Sequence, residues 1–108
     1  MDFRLTEEQE LLISSVEELL ARHAPESLMA ELDEKHQFPY EPWQALADQG
    51  ILSLGIPEEY GGTPADILTM TLVTEALGKH AFTLGIIYSL GVITIRDIVQ
   101  FGSPEIKK

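Results

Sequence analysis

Residues 82–101 read FTLGIIYSLGVITIRDIVQF, and the fold turns on whether this stretch is strand or helix. Ile86, Ile87, Val92, Ile93, Ile95, Ile98 and Val99 are β-branched and would suit a strand. Length argues the other way. Strands average about 5–6 residues and no turn dipeptide divides the segment, so one helix from about Phe82 to Phe101 is the better reading. A helix apolar on nearly every side is expected to lie at the centre of its domain.

Working back from it, Thr63 and Pro64 form a cap-then-proline helix start. Asp66 then falls at the third helical position, where its charge suits the positive end of the helix dipole. That helix is predicted to run to about Leu77, with Gly78 as its stop. Before it lies LGIPEEYGG, residues 54–62, read as a connector fixed by Pro57 and by Gly61 and Gly62. The two glycines suit positive φ or a close backbone approach. Earlier still, Pro42 opens a helix in which Trp43, Leu46 and Ala47 share a face, and Gly50 closes it. Pro25 suits the first position of a short helix through about Lys35, with Leu28, Met29 and Leu32 inward.

At the start of the chain, Thr6 and Gln9 have capping-box spacing, and Leu12, Val16, Leu19 and Leu20 follow on one helical face. A helix from about Thr6 to His23 results, with Glu7, Glu8, Glu10, Glu17 and Glu18 turned to water. At the other end, Ser103 and Pro104 launch a further helix that has barely one turn before Lys108. One turn is not stable alone, which predicts a piece of a longer protein. The sum is an all-α bundle of five to six helices, one domain over residues 1–108.

Charge and composition narrow the function. Seven Lys and Arg against 18 Asp and Glu give a net charge of −11, a poor match to nucleic acid or anionic lipid. All of that excess lies in residues 1–60, and residues 61–108 sum to zero. There is no cysteine, so disulfides and thiolate metal sites are excluded. MDFRLTEEQE lacks the pattern of a secretory signal. The longest uncharged run near the end, Ala81 to Ile95, is 15 residues, short of the roughly 20 that span a bilayer. No membrane span and a cytoplasmic location are expected.

Spacing supplies no catalytic centre. His23, His36 and His80 lack the i, i+4 pairing of a helical metal site and are read as surface or capping residues. No serine sits in a G-x-S-x-G elbow. Gly50 and Gly55 have phosphate-loop spacing, yet Ile56 stands where the lysine belongs. Glu58 and Glu59 are adjacent, so they diverge and read as a solvated turn.

The remaining information is resemblance. PWQALADQGILSLGIPEEYGG, Pro42 to Gly62, resembles the helix-then-loop signature in the N-terminal domain of acyl-CoA dehydrogenases. FRLTEEQELL at 3–12, LVTEALGKHA at 72–81 and FGSPEIKK at 101–108 resemble that domain's other helices and connections, in order over essentially the whole chain. The resemblance implies a three-domain FAD flavoprotein. In it a glutamate, in most members carried by the C-terminal domain, removes the α-proton of an acyl-CoA while flavin N5 accepts a hydride from the β-carbon. The flavin lies between the middle and C-terminal domains, so this chain would hold no catalytic and no cofactor-binding residue. It would supply one wall of the acyl pocket from the helix at 82–101, through Ile86, Ser89, Leu90 and Ile93, an i, i+3, i+4, i+7 stripe. The alternative for those four residues is core packing.

Implied partners are an acyl-CoA substrate and electron-transfer flavoprotein, with assembly as a homo-oligomer. MDF at the start, ALADQGILSL at 45–54 and AFTLGIIYSL at 81–90 resemble the crotonobetainyl-CoA reductase branch. A second reading, from another class, is a free-standing helical interaction or regulatory module without catalysis.

Overall fold

The computed structural model describes residues 3–108, so part of the MDF stretch lies outside them. The helices are α1 (Glu7–His23), α2 (Glu26–Glu34), α3 (Tyr40–Asp48), α4 (Ile67–His80), α5 (Phe82–Phe101) and α6 (Pro104–Lys107). Among the described residues there is no strand, and the fold is all-α as the sequence predicts.

Helix α1 starts as its capping box requires. The Gln9 amide donates to Thr6 Oγ1 at 3.1 Å, and the Thr6 amide donates to Gln9 Oε1 at 3.0 Å. Gln9 Nε2 also reaches Thr69 Oγ1, at 3.4 Å, in the first turn of α4. At the other end His80 lies 3.8 Å from Glu17, so α1 and α4 run parallel. Helix α2 ends in a Schellman motif: the Gln37 amide donates to the Leu32 carbonyl at 2.9 Å and the His36 amide to Asp33 at 3.1 Å. His36 takes the left-handed position, φ 56°, that glycine usually fills.

Helix α3 begins two residues earlier than Pro42 predicts, at Tyr40. Pro42 instead sits in the first turn, where its missing N–H is one of the helix's unpaired donors in any case. Gly50 closes α3 at φ 78°, as expected. A single 3₁₀ turn, Ile51–Ser53, leads into the connector.

Residues 54–63 form a closed loop. Leu54 bridges Thr63, with the Gly55 amide donating to the Thr63 carbonyl at 2.8 Å and the Thr63 amide to Ser53 at 3.1 Å. Inside it Glu58–Tyr60 make a second 3₁₀ turn that ends at Gly61, φ 88°. Gly62 is required for a different reason: a Cβ there would stand 2.2 Å from the Ile56 carbonyl oxygen. LGIPEEYGG is therefore a structural corner, with Glu58 and Glu59 exposed on its outside.

This loop overturns the predicted start of α4. Thr63 is held extended by the bridge and caps nothing, and the N-cap is Asp66, whose carboxylate accepts from the Thr69 amide at 2.8 Å. The predicted stop fails as well. Gly78 stays helical and α4 continues to His80, which places Lys79 and His80 in the last turn beside the negative end of the dipole.

The largest correction concerns α5. The core is built from Val16, Leu19 and Leu20 of α1, Leu46 of α3, Ile51, Val73, Ala76 and Leu77 of α4, and Leu84 and Tyr88 of α5. Helix α4 is the central element, since it packs on α1 with one face and on α5 with another. Helix α5 buries only Leu84, Gly85 and Tyr88. Its length and composition alone would reach across a bilayer, and only 17% of its apolar window is buried in this chain. An all-round apolar helix demands cover on every side, and here α4 supplies cover on one.

The chain is a slab of 41 × 37 × 22 Å. Its radius of gyration is 14.7 Å, against about 13 Å for a globule of this length. Its surface is 7538 Å², where a monomer of this mass has about 6,000 Å². The excess of about 1,500 Å² is larger than the roughly 800 Å² that each partner buries in a standard protein–protein interface.

Candidate functional site

Helices α4 and α5 form an antiparallel hairpin through Ala81, and they cross at Gly78 and Gly85. A Cβ at Gly85 would lie 2.8 Å from the Gly78 backbone, so the close approach depends on glycine at 85. Beside the crossing a furrow runs between the helices. One depression, of about 180 Å³, is lined by Thr74 and Gly78 of α4 and Phe82, Gly85, Ile86 and Ser89 of α5. A second, of about 120 Å³, shares Thr74 and adds Ile67, Met70, Thr71, Val92 and Arg96.

The hydroxyls along the furrow are turned inward to their own helices. Thr74 donates to the Met70 carbonyl at 2.9 Å, Thr71 to Ile67 at 2.8 Å and Ser89 to Ile86 at 3.0 Å. What faces outward is mostly carbon, flanked by exposed Ile67, Phe82, Leu90 and Ile93. An apolar wall of this kind suits a hydrocarbon group.

Of the four residues singled out from the sequence, Ile86 and Ser89 meet in the first depression. Leu90 and Ile93 continue the same stripe of α5 but lie outside both depressions, each 60% exposed. Ile86 is 44% exposed, so within this chain none of the three aliphatic residues is core. Sequence reasoning missed Thr74, Gly78, Phe82 and Gly85. The available signal was the pair of glycines seven residues apart across the α4–α5 junction, of which Gly78 was read as a helix stop and Gly85 was not singled out.

The titratable groups make no second centre. His23 Nδ1 lies 2.7 Å from Glu41 Oε1 and ties the end of α1 to the start of α3, above an open polar cleft of about 290 Å³. Lys35 donates to Glu31 one turn away at 2.7 Å, and that hydrogen bond and charge hold the Glu31 carboxyl below its usual range. The Thr69 hydroxyl and backbone amide do the same for Asp66 at the α4 cap. Burial pushes the Tyr88 phenol up to about 12, and its hydroxyl has no hydrogen-bond partner. Among the described residues no group of three His, Cys, Asp or Glu side chains converges to hold a metal ion.

Comparison with known proteins identifies the family of this helical slab. The family model "Acyl-CoA dehydrogenase, N-terminal domain" matches residues 6–108, and the chain belongs to that family. Among its relatives is a protein named probable acyl-CoA dehydrogenase YdiO from Escherichia coli strain K12, 48% identical over 97% of this chain. Another is cyclohex-1-ene-1-carbonyl-CoA dehydrogenase from Syntrophus aciditrophicus, 39% identical over 96% of this chain. The chain spans about a quarter of the length of both, 27% and 25%. No solved structure matches it.

Proposed function

We propose that this chain is the N-terminal domain of a longer FAD-dependent acyl-CoA dehydrogenase and that α5 forms one wall of its acyl pocket. Ile86, Ser89, Leu90 and Ile93 are the residues assigned to that wall. The observation that carries the reading is the exposed apolar stripe of α5 beside the furrow. Water-exposed isoleucine and leucine on a 20-residue helix are costly unless something apolar covers them.

Bound FAD would supply the hydride acceptor. The residues of this chain do not fit that cofactor by themselves. A dinucleotide pyrophosphate calls for clustered N–H donors or cations, whereas the furrow is lined by carbon and by Arg96 alone among cations. The catalytic base and the flavin site are therefore assigned to the remainder of the protein. Electron-transfer flavoprotein, a homo-oligomeric assembly and a cytoplasmic location complete the proposal. The name of the Syntrophus relative makes an alicyclic acyl group a candidate substrate, and the resemblance to the crotonobetainyl-CoA reductase branch adds a second.

The test is to purify the full-length protein, record its visible spectrum and assay a panel of straight, branched, alicyclic and crotonobetainyl thioesters with a dye as electron acceptor. A yellow protein that bleaches on adding at least one thioester supports the reading. A colourless protein inert to the whole panel contradicts it and leaves the interaction module.

A further inference from the structure

We propose that Gly78 keeps the α4–α5 furrow open for the broad part of the acyl group, a branch or a ring, so that the enzyme favours branched or alicyclic thioesters over straight ones. This rests on the acyl-wall reading above. Glycine inside a helix is destabilising relative to alanine and normally has a structural reason. Two reasons are common, and neither applies here. Gly78 is not among the glycines with positive φ. A Cβ built on it would meet no heavy atom within 4 Å, in contrast to its neighbour Gly85.

Gly78 borders a second, open hollow against α1, lined in part by Glu17, Lys79 and His80, and on the α5 side its missing side chain leaves space in the first depression. That depression is about 180 Å³, and none of its six lining residues is charged. The hydroxyls of Thr74 and Ser89 are already satisfied by their own helices, so nothing in it asks for a polar partner. An enclosed apolar cavity of about 150 Å³ takes a benzene-sized ring, and this depression offers similar room while open on one side. Ile86 and Ser89 belong both to this depression and to the stripe assigned to the acyl wall. On the acyl-wall reading the space therefore adjoins the acyl group at Ile86 and Ser89, where a branch or ring would fill it and a linear chain would leave it unfilled.

Gly91 provides the control. It too is unhindered by any atom within 4 Å, but it lies outside both depressions. In the full-length enzyme, Gly78→Leu is expected to lower kcat/KM for cyclohexanecarbonyl-CoA at least tenfold relative to hexanoyl-CoA. Gly91→Ala should leave that ratio unchanged. Gly78→Ala, the smaller change, should leave Tm unchanged or raise it. Equal losses on both substrates, no loss on either, or a lowered Tm for Gly78→Ala would each overturn the proposal, the last by showing that protein rather than substrate fills the space. If the wild-type enzyme turns over no thioester at all, the acyl-wall reading itself fails, an outcome visible before any variant is made.

Discussion

Tyr88 carries a hydroxyl that the fold leaves without a partner. The residue is 3% exposed, packed with Leu84 and the α4 core, and its Oη has no hydrogen bond. A buried unmade hydrogen bond costs stability, so Tyr88→Phe is expected to lie within about 1 kcal/mol of wild type, on the stabilising side. The pH dependence has a definite sign. Burial raises the phenol from 10.0 to about 12, so the fold favours the neutral form. Its contribution is complete below pH 10 and is lost as the pH rises towards 12. Urea titrations at pH 8 and above should show wild type losing stability over that window and Tyr88→Phe losing less; parallel curves would contradict the assignment. Burial of this kind was not legible in the sequence, because Tyr88 is sealed by the crossing of two helices rather than by its neighbours. Gly61 and Gly62 were legible, since tight turns are set locally.

At the level of the helix, the start of α4 shows how a tertiary contact overrides a local signal. Thr63–Pro64 has the composition of a helix start, but the Thr63 backbone pairs with Ser53 and Gly55, and the role of cap passes to Asp66. Asp66 is held below its ordinary value of 3.8, first by the Thr69 side chain and then by the Thr69 amide. A depressed carboxylate stabilises the fold fully above that ordinary value, and the contribution is lost as the pH falls below it. Asp66→Ala should therefore lower the denaturation midpoint at neutral pH and flatten the acid limb of the stability profile below 3.8. An unaltered acid limb would show that the cap contributes nothing through its charge. The start of α1 was read correctly because its capping box is contained within four residues.

At the scale of the whole molecule, the sequence supplied the helix count and the family, but not the layering. Residues 82–101 are apolar on nearly every side, which reads as central. The structure puts α4 in the centre and leaves α5 at the edge, because α4 is its main cover among the described residues. The exposed stripe could not be told from core by periodicity, since both give the same pattern. Self-association of the 108-residue chain follows from the surface excess and from the neutrality of residues 61–108, which sets no charge barrier against pairing. Sedimentation velocity at tens of micromolar should show dimers or larger species, and a monomer over that range would count against an uncovered apolar face.

The central claim, that α5 walls the acyl pocket, is tested most directly by Ile93→Trp in the full-length enzyme, with kcat/KM measured across a series of straight-chain acyl-CoA thioesters. Ile93 is 60% exposed in this chain, so the larger ring has room within it and the fold should survive. The account predicts a shift toward shorter acyl groups, with at least a tenfold loss for the longest substrate the wild type accepts and little change for the shortest. A chain-length profile identical to wild type would contradict it.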